Sequence, residues 1–361
     1  MSGADGRDPS LQYSGPGTSS TIAVSIELPA GACHIAGMGA ALTDDGASKL
    51  TGYVHPRYAR SLQEFGLPRE LPRCHGWILE RPIPGFLDRD AMGCYPLFAC
   101  QDWSQLHLDI ENLGEELVSL TLVTDPFGEY DEPYLRRCFP DLVSPFKEHF
   151  VIDLEKPRDT GVSRRHRKEA RRALRHVSVQ VHPNPPDFLD VWMDLHRHLI
   201  AKHGVKGIAA FSRSGFAEQL ATPGTVVLWA SYDDQPVAAT IYLLHNSVAQ
   251  GHVLGCTDIG YARGALYALI WSAIEAFTGS VRWLNLMGLP GAEDAGSEGM
   301  RHFKRGWTSE TRTAWLCGRI LNRERYAEIV KGTGTSQARY FPAYRDGEMA
   351  RFQDSEKSSK P

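Results

Sequence analysis

Residues 225–232 (TVVLWASY), 237–244 (VAATIYLL) and 248–256 (VAQGHVLGC) decide the fold. Each is a short apolar run rich in Val, Leu and Ile, and each reads as a strand. The breaks between them, Asp233-Asp234-Gln235-Pro236 and His245-Asn246-Ser247, are short enough for hairpins. The stretch 264–277 (GALYALIWSAIEAF) changes period. Leu266, Leu269, Ile270, Ala273, Ile274 and Phe277 recur at helical spacing and make one apolar face. A strand follows at 281–287 (VRWLNLM), then a helical turn near 298–305 and a strand at 311–317. A meander joined to a β-α-β unit gives a mixed α/β sheet with a helix across one face. Where its antiparallel and parallel parts meet, neighbouring strands can splay and open a cleft lined by unpaired backbone groups.

Upstream, 149–154 reads as a short strand and 163–176 as a helix with Ser163 as its N-cap. Residues 177–182 (VSVQVH) alternate as a strand, and 186–202 and 213–220 read as helices. The N-terminal half is harder to parse. Residues 21–28 (TIAVSIEL) alternate as a strand, and 119–124 (SLTLVT) read as a buried strand ending at the turn Asp125-Pro126-Phe127-Gly128. The many Pro and Gly residues between 66 and 93 suggest loops. Gly37-Met38-Gly39-Ala40-Ala41-Leu42 begins like a dinucleotide fingerprint, but Leu42 stands at the third glycine and no βαβ unit follows, so it reads as a turn. The ends, 1–20 and about 346–361, are polar and expected to be loose. The expected organisation is a tail at 1–20, an N-terminal unit at 21–148, a C-terminal unit at 149–331, and a segment at 332–361 that can return to the N-terminal unit.

The chain has 361 residues, 42% hydrophobic and 23% charged, with net charge −4. That composition excludes wholesale disorder and a surface coated in basic charge, while leaving room for a local basic patch. The seven cysteines are odd in number and lack CxxC spacing, so they read as reduced core thiols. There is no membrane-length apolar run and no signal pattern, which points to the cytoplasm. His196, His198 and His203 have no acidic or cysteine partner at ligand spacing, so no metal is expected.

Three patterns sharpen the fold reading. Ser163-Arg164-Arg165-His166-Arg167-Lys168-Glu169-Ala170-Arg171-Arg172-Ala173 is a basic helix placed before a strand. Trp283-Leu284-Asn285-Leu286-Met287-Gly288 is a strand entering a Gly-containing loop. Met300-Arg301-His302-Phe303-Lys304-Arg305-Gly306-Trp307 carries Phe-Lys followed by Gly-Trp. With the element order, these resemble the FemAB-like branch of the GNAT superfamily, well over 149–317 and weakly before that. Phe127-Gly128 after an apolar strand also resembles the end of that family's first unit. The resemblance implies two GNAT-like units in one chain. It further implies transfer of an activated acyl group, often an amino acid from aminoacyl-tRNA, to an amine of a peptidoglycan precursor or small metabolite. No other cofactor is implied.

By the same resemblance Lys304 is the catalytic candidate, a cation for the tetrahedral oxyanion of acyl transfer. On spacing alone it is a solvated lysine beside Arg301 and Arg305. Phe303 is a candidate to stack on the donor, although an aromatic beside a loop is more often core. Seven cations fall within twelve residues of the basic helix. Arg164, Arg165, Arg167, Lys168, Arg171 and Arg172, with Arg175, repel one another, and either nearby acids or donor phosphates must offset them. Tyr242, His252, Asp258 and Asn285 lie on or just after central strands and are candidates to face the cleft and bind acceptor. For each alone, a satisfied structural hydrogen bond is the plainer reading.

The donor loop separates two enzymes. CoA-binding GNAT proteins carry Gln/Arg-x-x-Gly-x-Gly/Ala before the crossing helix. Here Thr257-Asp258-Ile259-Gly260-Tyr261-Ala262 keeps Gly260 and Ala262 but not the leading Gln or Arg, and Asp258 adds negative charge. The leading expectation is therefore an aminoacyl-tRNA-dependent transferase, with an acyl-CoA N-acyltransferase second. A non-enzymatic nucleic-acid-binding module is the third reading. The acceptor and the oligomeric state are not readable.

Overall fold

In this computed structural model, residues 50–204, 207–289 and 297–348 are described. The strand expected at 21–28, the turn at 37–42, the tail at 1–20 and the terminal residues from 349 lie outside them. The strands are β1 (Leu67–Leu71), β2 (Gly76–Pro82), β3 (Arg89–Gly93), β4 (Ser119–Val123), β5 (Leu142–Asp153) and β6 (Ser178–Val181), then β7 (Thr225–Tyr232), β8 (Gln235–His245), β9 (Val248–Cys256), β10 (Trp283–Gly288) and β11 (Thr311–Ile320). They form one sheet in the order β1-β2-β3-β4-β11-β5-β10-β9-β8-β7-β6. The helices are α1 (Pro56–Arg60), α2 (Leu106–Glu111), α3 (Glu132–Cys138), α4 (Arg164–Ala173) and α5 (Leu189–His203), then α6 (Arg213–Leu220), α7 (Asp258–Ala262), α8 (Ala265–Phe277), α9 (Ser297–Arg305) and α10 (Arg323–Thr333).

The chain runs through the same series twice. An antiparallel meander (β1-β2-β3, then β7-β8-β9) leads through a helix (α2, then α8) to a strand parallel to the meander's last strand (β4, then β10). A helix and a final strand follow, and those final strands cross over. β5 pairs with β10, and β11 inserts between β4 and β5. Each half therefore completes the other half's sheet.

Local chemistry explains the strand ends. Asp233 and Asp234 adopt φ of 48° and 59° between β7 and β8, the two left-handed residues of a type I′ hairpin. The loops expected between 66 and 93 are instead three strands. Their prolines and glycines sit where strands tolerate them: Pro68 on edge strand β1, Pro82 at the last position of β2, and Gly76 and Gly93 at strand termini. The strand expected at 149–154 starts at Leu142 and runs through Pro145, which stands beside a bulge: Pro145 is opposite Trp315 and Lys147 opposite Ala314, leaving Phe146 as the extra residue.

One face of the sheet, including Phe150, Ile152, Leu228, Leu244 and Leu284, is covered by α8, with α4 lying along α8. The other face packs Val227, Ile241 and Leu243 against Trp192 of α5 and Phe216 of α6. The six described cysteines are buried thiols. Beyond α10 the chain reaches the N-terminal strands. Arg345 binds Asp90 of β3 through two donors, at 2.6 and 2.8 Å, and Tyr344 bonds Ser119 of β4. Both charged side chains are almost fully buried. Arg345→Met removes two charge-assisted hydrogen bonds and leaves the buried Asp90 carboxylate only Arg81, 3.4 Å away, and the Tyr344 hydroxyl, so it is expected to lower stability by about 2–4 kcal/mol in urea unfolding. A loss below about 1 kcal/mol would mean that this latch does not hold the segment.

Candidate functional site

The parallel strands β9 and β10 pair only over Trp283–Val248, Leu284–Ala249 and Asn285–Gln250, and then separate. Against β5 the register of β10 also breaks between Asn285 and Gly288. Met287 causes the break: its φ is +67°, a left-handed conformation that costs a residue with Cβ about 1–2 kcal/mol. Asn285 supports it, its Oδ1 accepting the Met287 N–H at 3.0 Å. Gly251 on β9 allows the close approach, since a Cβ there would lie 2.7 Å from the Asn285 carbonyl oxygen.

The bulge presents two carbonyls to α9. Lys304 Nζ donates to Met287 O at 2.9 Å and Gly288 O at 2.8 Å. The side chain is only 7% exposed. Burial, with Lys147 nearby, pulls its ammonium down to about 7. It is thus a desolvated lysine, near the midpoint of its titration at neutral pH, at the point where the sheet opens. An ammonium has three donors, and two are spent on these carbonyls.

A buried polar chain starts from the same bulge. Asn285 Nδ2 donates to Gln250 Oε1 at 2.6 Å, and Gln250 Nε2 donates to Asp125 Oδ1 at 2.8 Å. Asn285 Nδ2 also lies 3.1 Å from His149 Nδ1. Burial, with Lys304 and Lys147 close by, takes that imidazole down to about 4, so it is neutral. Asp125 opens onto a cavity of about 190 Å³, whose wall includes Trp103, Phe127, Gln250, Trp283 and Arg312. Burial pushes the Asp125 carboxyl up to about 6, against the lowering effect of its hydrogen bonds and Arg312.

Helix α4 docks on α9 by its first turn. Ser163 caps it by accepting the His166 N–H, and Ser163 N donates to Gly306 O at 2.8 Å. The His166 ring lies 2.9 Å, through Nε2, from Phe303 O and packs against Tyr267 and Trp307. Gly306 permits this, because a Cβ there would sit 2.0 Å from the ring. His166, Ala170 and Ala173 form the buried stripe, which sends the cations outward. Arg167 pairs with Asp159 at 3.1 Å. Arg164, Arg165, Lys168, Arg171, Arg172 and Arg175 are exposed, and among the described residues no carboxylate lies within ion-pairing distance of them. Phe303 is half-buried, edge-on to Tyr267 and tilted against His166.

The remaining candidates separate. Asn285 is central to the polar chain and fully buried. Tyr242 faces α8, with its ring on Phe277. His252 sits on the opposite face of the sheet from Tyr242, with Nδ1 3.1 Å from the Tyr53 hydroxyl and Nε2 3.1 Å from Gln219 Oε1. Burial takes it down to about 3, so it has neither a free nitrogen nor the basicity of a general base at neutral pH. Asp258 is exposed on α7 and pairs with Lys202 at 2.9 Å. In the same loop the Gly260 N–H is spent on Thr257 Oγ1 and the Tyr261 N–H on Thr257 O. Asp125, Gln250, His149 and Arg312 were not singled out in the sequence. The available signal was polar residues inside apolar strands (Gln250 in VAQGHV, Asn285 in WLNLMG), which must find buried partners. Among the described residues no group of three His, Cys, Asp or Glu could hold a metal ion, and no helix is long and apolar enough to cross a membrane.

Residues 161–305 match the family model described as an acetyltransferase (GNAT) domain. No curated protein matches the chain. Among solved structures the chain is similar to FemX, at 11% identity and TM-score 0.56, over 77% of this chain and 96% of that one. It is also similar to the C-terminal domain of a putative lysylphosphatidylglycerol synthetase from Agrobacterium fabrum (14% identity, TM-score 0.52, 79% and 98% covered). A third likeness is to L-PGS from Bacillus licheniformis (13%, 0.52, 80% and 99%). At these identities the likeness is one of fold.

The Lys304 ammonium titrates lower in the folded chain than in the unfolded one, whose lysines titrate near 10.5. Between about pH 7 and 10 the folded state therefore binds fewer protons, and its stability rises with pH. Lys304→Met removes this dependence. The stability of the variant relative to the parent should be higher at pH 6 than at pH 10, by roughly 2–4 kcal/mol in urea unfolding at the two values. A difference that does not change with pH would mean that Lys304 is not desolvated.

Proposed function

We propose that this chain, a GNAT-fold acyltransferase of FemAB-like architecture, forms an amide bond by moving an aminoacyl group from aminoacyl-tRNA to an amine. The amine belongs to a small metabolite, a peptide or a cell-wall precursor. One observation carries the donor assignment: five exposed cations on α4, with Arg175 just beyond its end, have no acidic partner among the described residues, and the helix is pinned to α9 beside Lys304. An unneutralised cationic helix suits a run of phosphates, and tRNA supplies one. The Agrobacterium neighbour is also named for an aminoacylated product.

The reaction follows from the charges. The acceptor nitrogen attacks the ester carbonyl of the donor, a C–N bond forms, and the carbonyl oxygen takes negative charge. Lys304, held by the carbonyls of Met287 and Gly288, turns its third N–H to that oxygen. In a site that excludes water this favours the transition state over the ground state. The C–O bond to the ribose then breaks, and the proton lost by the amine leaves with the ribose hydroxyl. The partly exposed ring of Phe303, next in sequence, offers a surface to the donor's terminal base.

An acyl-CoA donor is the alternative, supported by the acetyltransferase family model and by Gly260 and Ala262. It is the weaker reading because Thr257 already occupies the Gly260 N–H and Asp258 places a negative charge on the same loop. Incubation with a full set of charged tRNAs and a panel of amines should give amide product that depends on tRNA. Calorimetry with acetyl-CoA and longer acyl-CoAs should show no tight binding. Lys304→Met should lower kcat by about 10²–10³ without weakening tRNA binding. Reversing charge at Arg165 and Arg172 should weaken tRNA binding at least about tenfold and flatten its salt dependence. Tight CoA binding, with no product from any charged tRNA, would transfer the assignment to the alternative.

A further inference from the structure

The wall of the cavity beside Asp125 contains a cation, Arg312, with no anionic partner among the described residues. The Arg312 guanidinium lies 4.4 Å from the ring centre of Phe127 and 4.6 Å from that of Trp283. Both rings attract its charge and hold it at the cavity wall. Among the described residues it makes no ion pair and no hydrogen bond to protein, so its donors are unspent. Asp125 is near enough to feel its charge but beyond ion-pair distance. The Asp125 carboxylate is itself half used: Oδ1 accepts from Phe127 N and Gln250 Nε2, whereas Oδ2 accepts from no described residue. The exposed Glu129 adds a second negative charge to the same rim. A fixed cation and a fixed anion thus face one small cavity without neutralising each other, and Gln250 and Asn285 join the anion to the bulge that holds Lys304.

Resting on the aminoacyl-transfer reading, we infer that this cavity binds the acceptor, and that the acceptor is a small zwitterion, an amino acid or dipeptide. Its carboxylate lies on the Arg312 fork and its ammonium on Asp125 Oδ2, which takes one proton to free the amine for attack, the second leaving with the ribose hydroxyl. Arg312 is the residue that determines specificity. It demands an acid group on a molecule whose amine is to be acylated. Bidentate pairing with a planar carboxylate suits a guanidinium that rests against two rings and keeps its donors unspent among the described residues.

Binding can be measured without any donor. Calorimetry of the full chain against the twenty proteinogenic L-amino acids, their glycyl dipeptides and O-phosphoethanolamine should find at least one amino acid or dipeptide that binds. Its carboxamide should bind at least about tenfold more weakly, because a charge-assisted pair is lost. Arg312→Gln should lose a similar factor while keeping the parent's affinity for tRNA, which also reports that the variant is folded. Should Arg312→Gln fail to fold, the acid-against-amide comparison in the parent chain decides. Three results would overturn the inference: no amino acid or dipeptide binds, acid and amide bind alike, or only O-phosphoethanolamine binds. None of them touches the tRNA-dependent product assay, so the acyl-transfer reading would stand or fall separately.

Discussion

The ammonium of Lys304 rests on the carbonyls of Met287 and Gly288, and the candidate site is arranged around that contact. Those carbonyls are available only because β10 leaves its ladder at a left-handed residue. Carbonyls turned out of a ladder and away from water need donors. The lysine supplies them, and in return is held, largely desolvated, at the mouth of the splayed strands. Lysine, bulge and splay are thus mutually dependent. An uncharged side chain at 304 would leave two buried carbonyls unsatisfied, and a regular β10 would leave a buried lysine without acceptors.

Helix α4 obeys a different constraint. Its cations face solvent because only His166, Ala170 and Ala173 are apolar or small enough to pack inward. That stripe is narrow, so the helix gains little from burial. It is held instead at its first turn, where Ser163 and His166 bond to the backbone around Phe303 and Gly306. The same fastening brings a strongly basic surface next to the helix that carries Lys304. Repulsion among these side chains is left uncompensated within the described protein, as expected of a surface shaped for an external polyanion.

The central polar chain shows how buried charge is tolerated. Asp125, Gln250, Asn285 and His149 come from four separate elements. Each group is unsuited to a core alone, and together they satisfy most of one another's hydrogen bonds. His149 stays neutral because burial and two neighbouring lysines oppose its protonation. Among the described residues Asp125 keeps one oxygen unpaired at the cavity, so the chain has a cavity-side end there and a lysine-side end at Met287.

The sequence by itself determined the C-terminal half. Runs such as 225–232 and 248–256 coincide with β7 and β9, and the apolar stripe of 264–277 is the buried face of α8, because periodicity is set by local backbone geometry. It also marked Lys304, the basic helix and Asn285 as residues to place. Strands β1 to β3 were hidden because their prolines and glycines look like breakers until the edge position of β1 and the ends of β2 and β3 are known. Tertiary structure alone decided the crossing of β5 and β11 between the halves, the sealing of His252 between Tyr53 and Gln219, and the meeting of Asp125 with Arg312 at one cavity. Those pairings join residues far apart in sequence. Their energies depend on burial and mutual distance, and neither quantity exists until the sheet has closed.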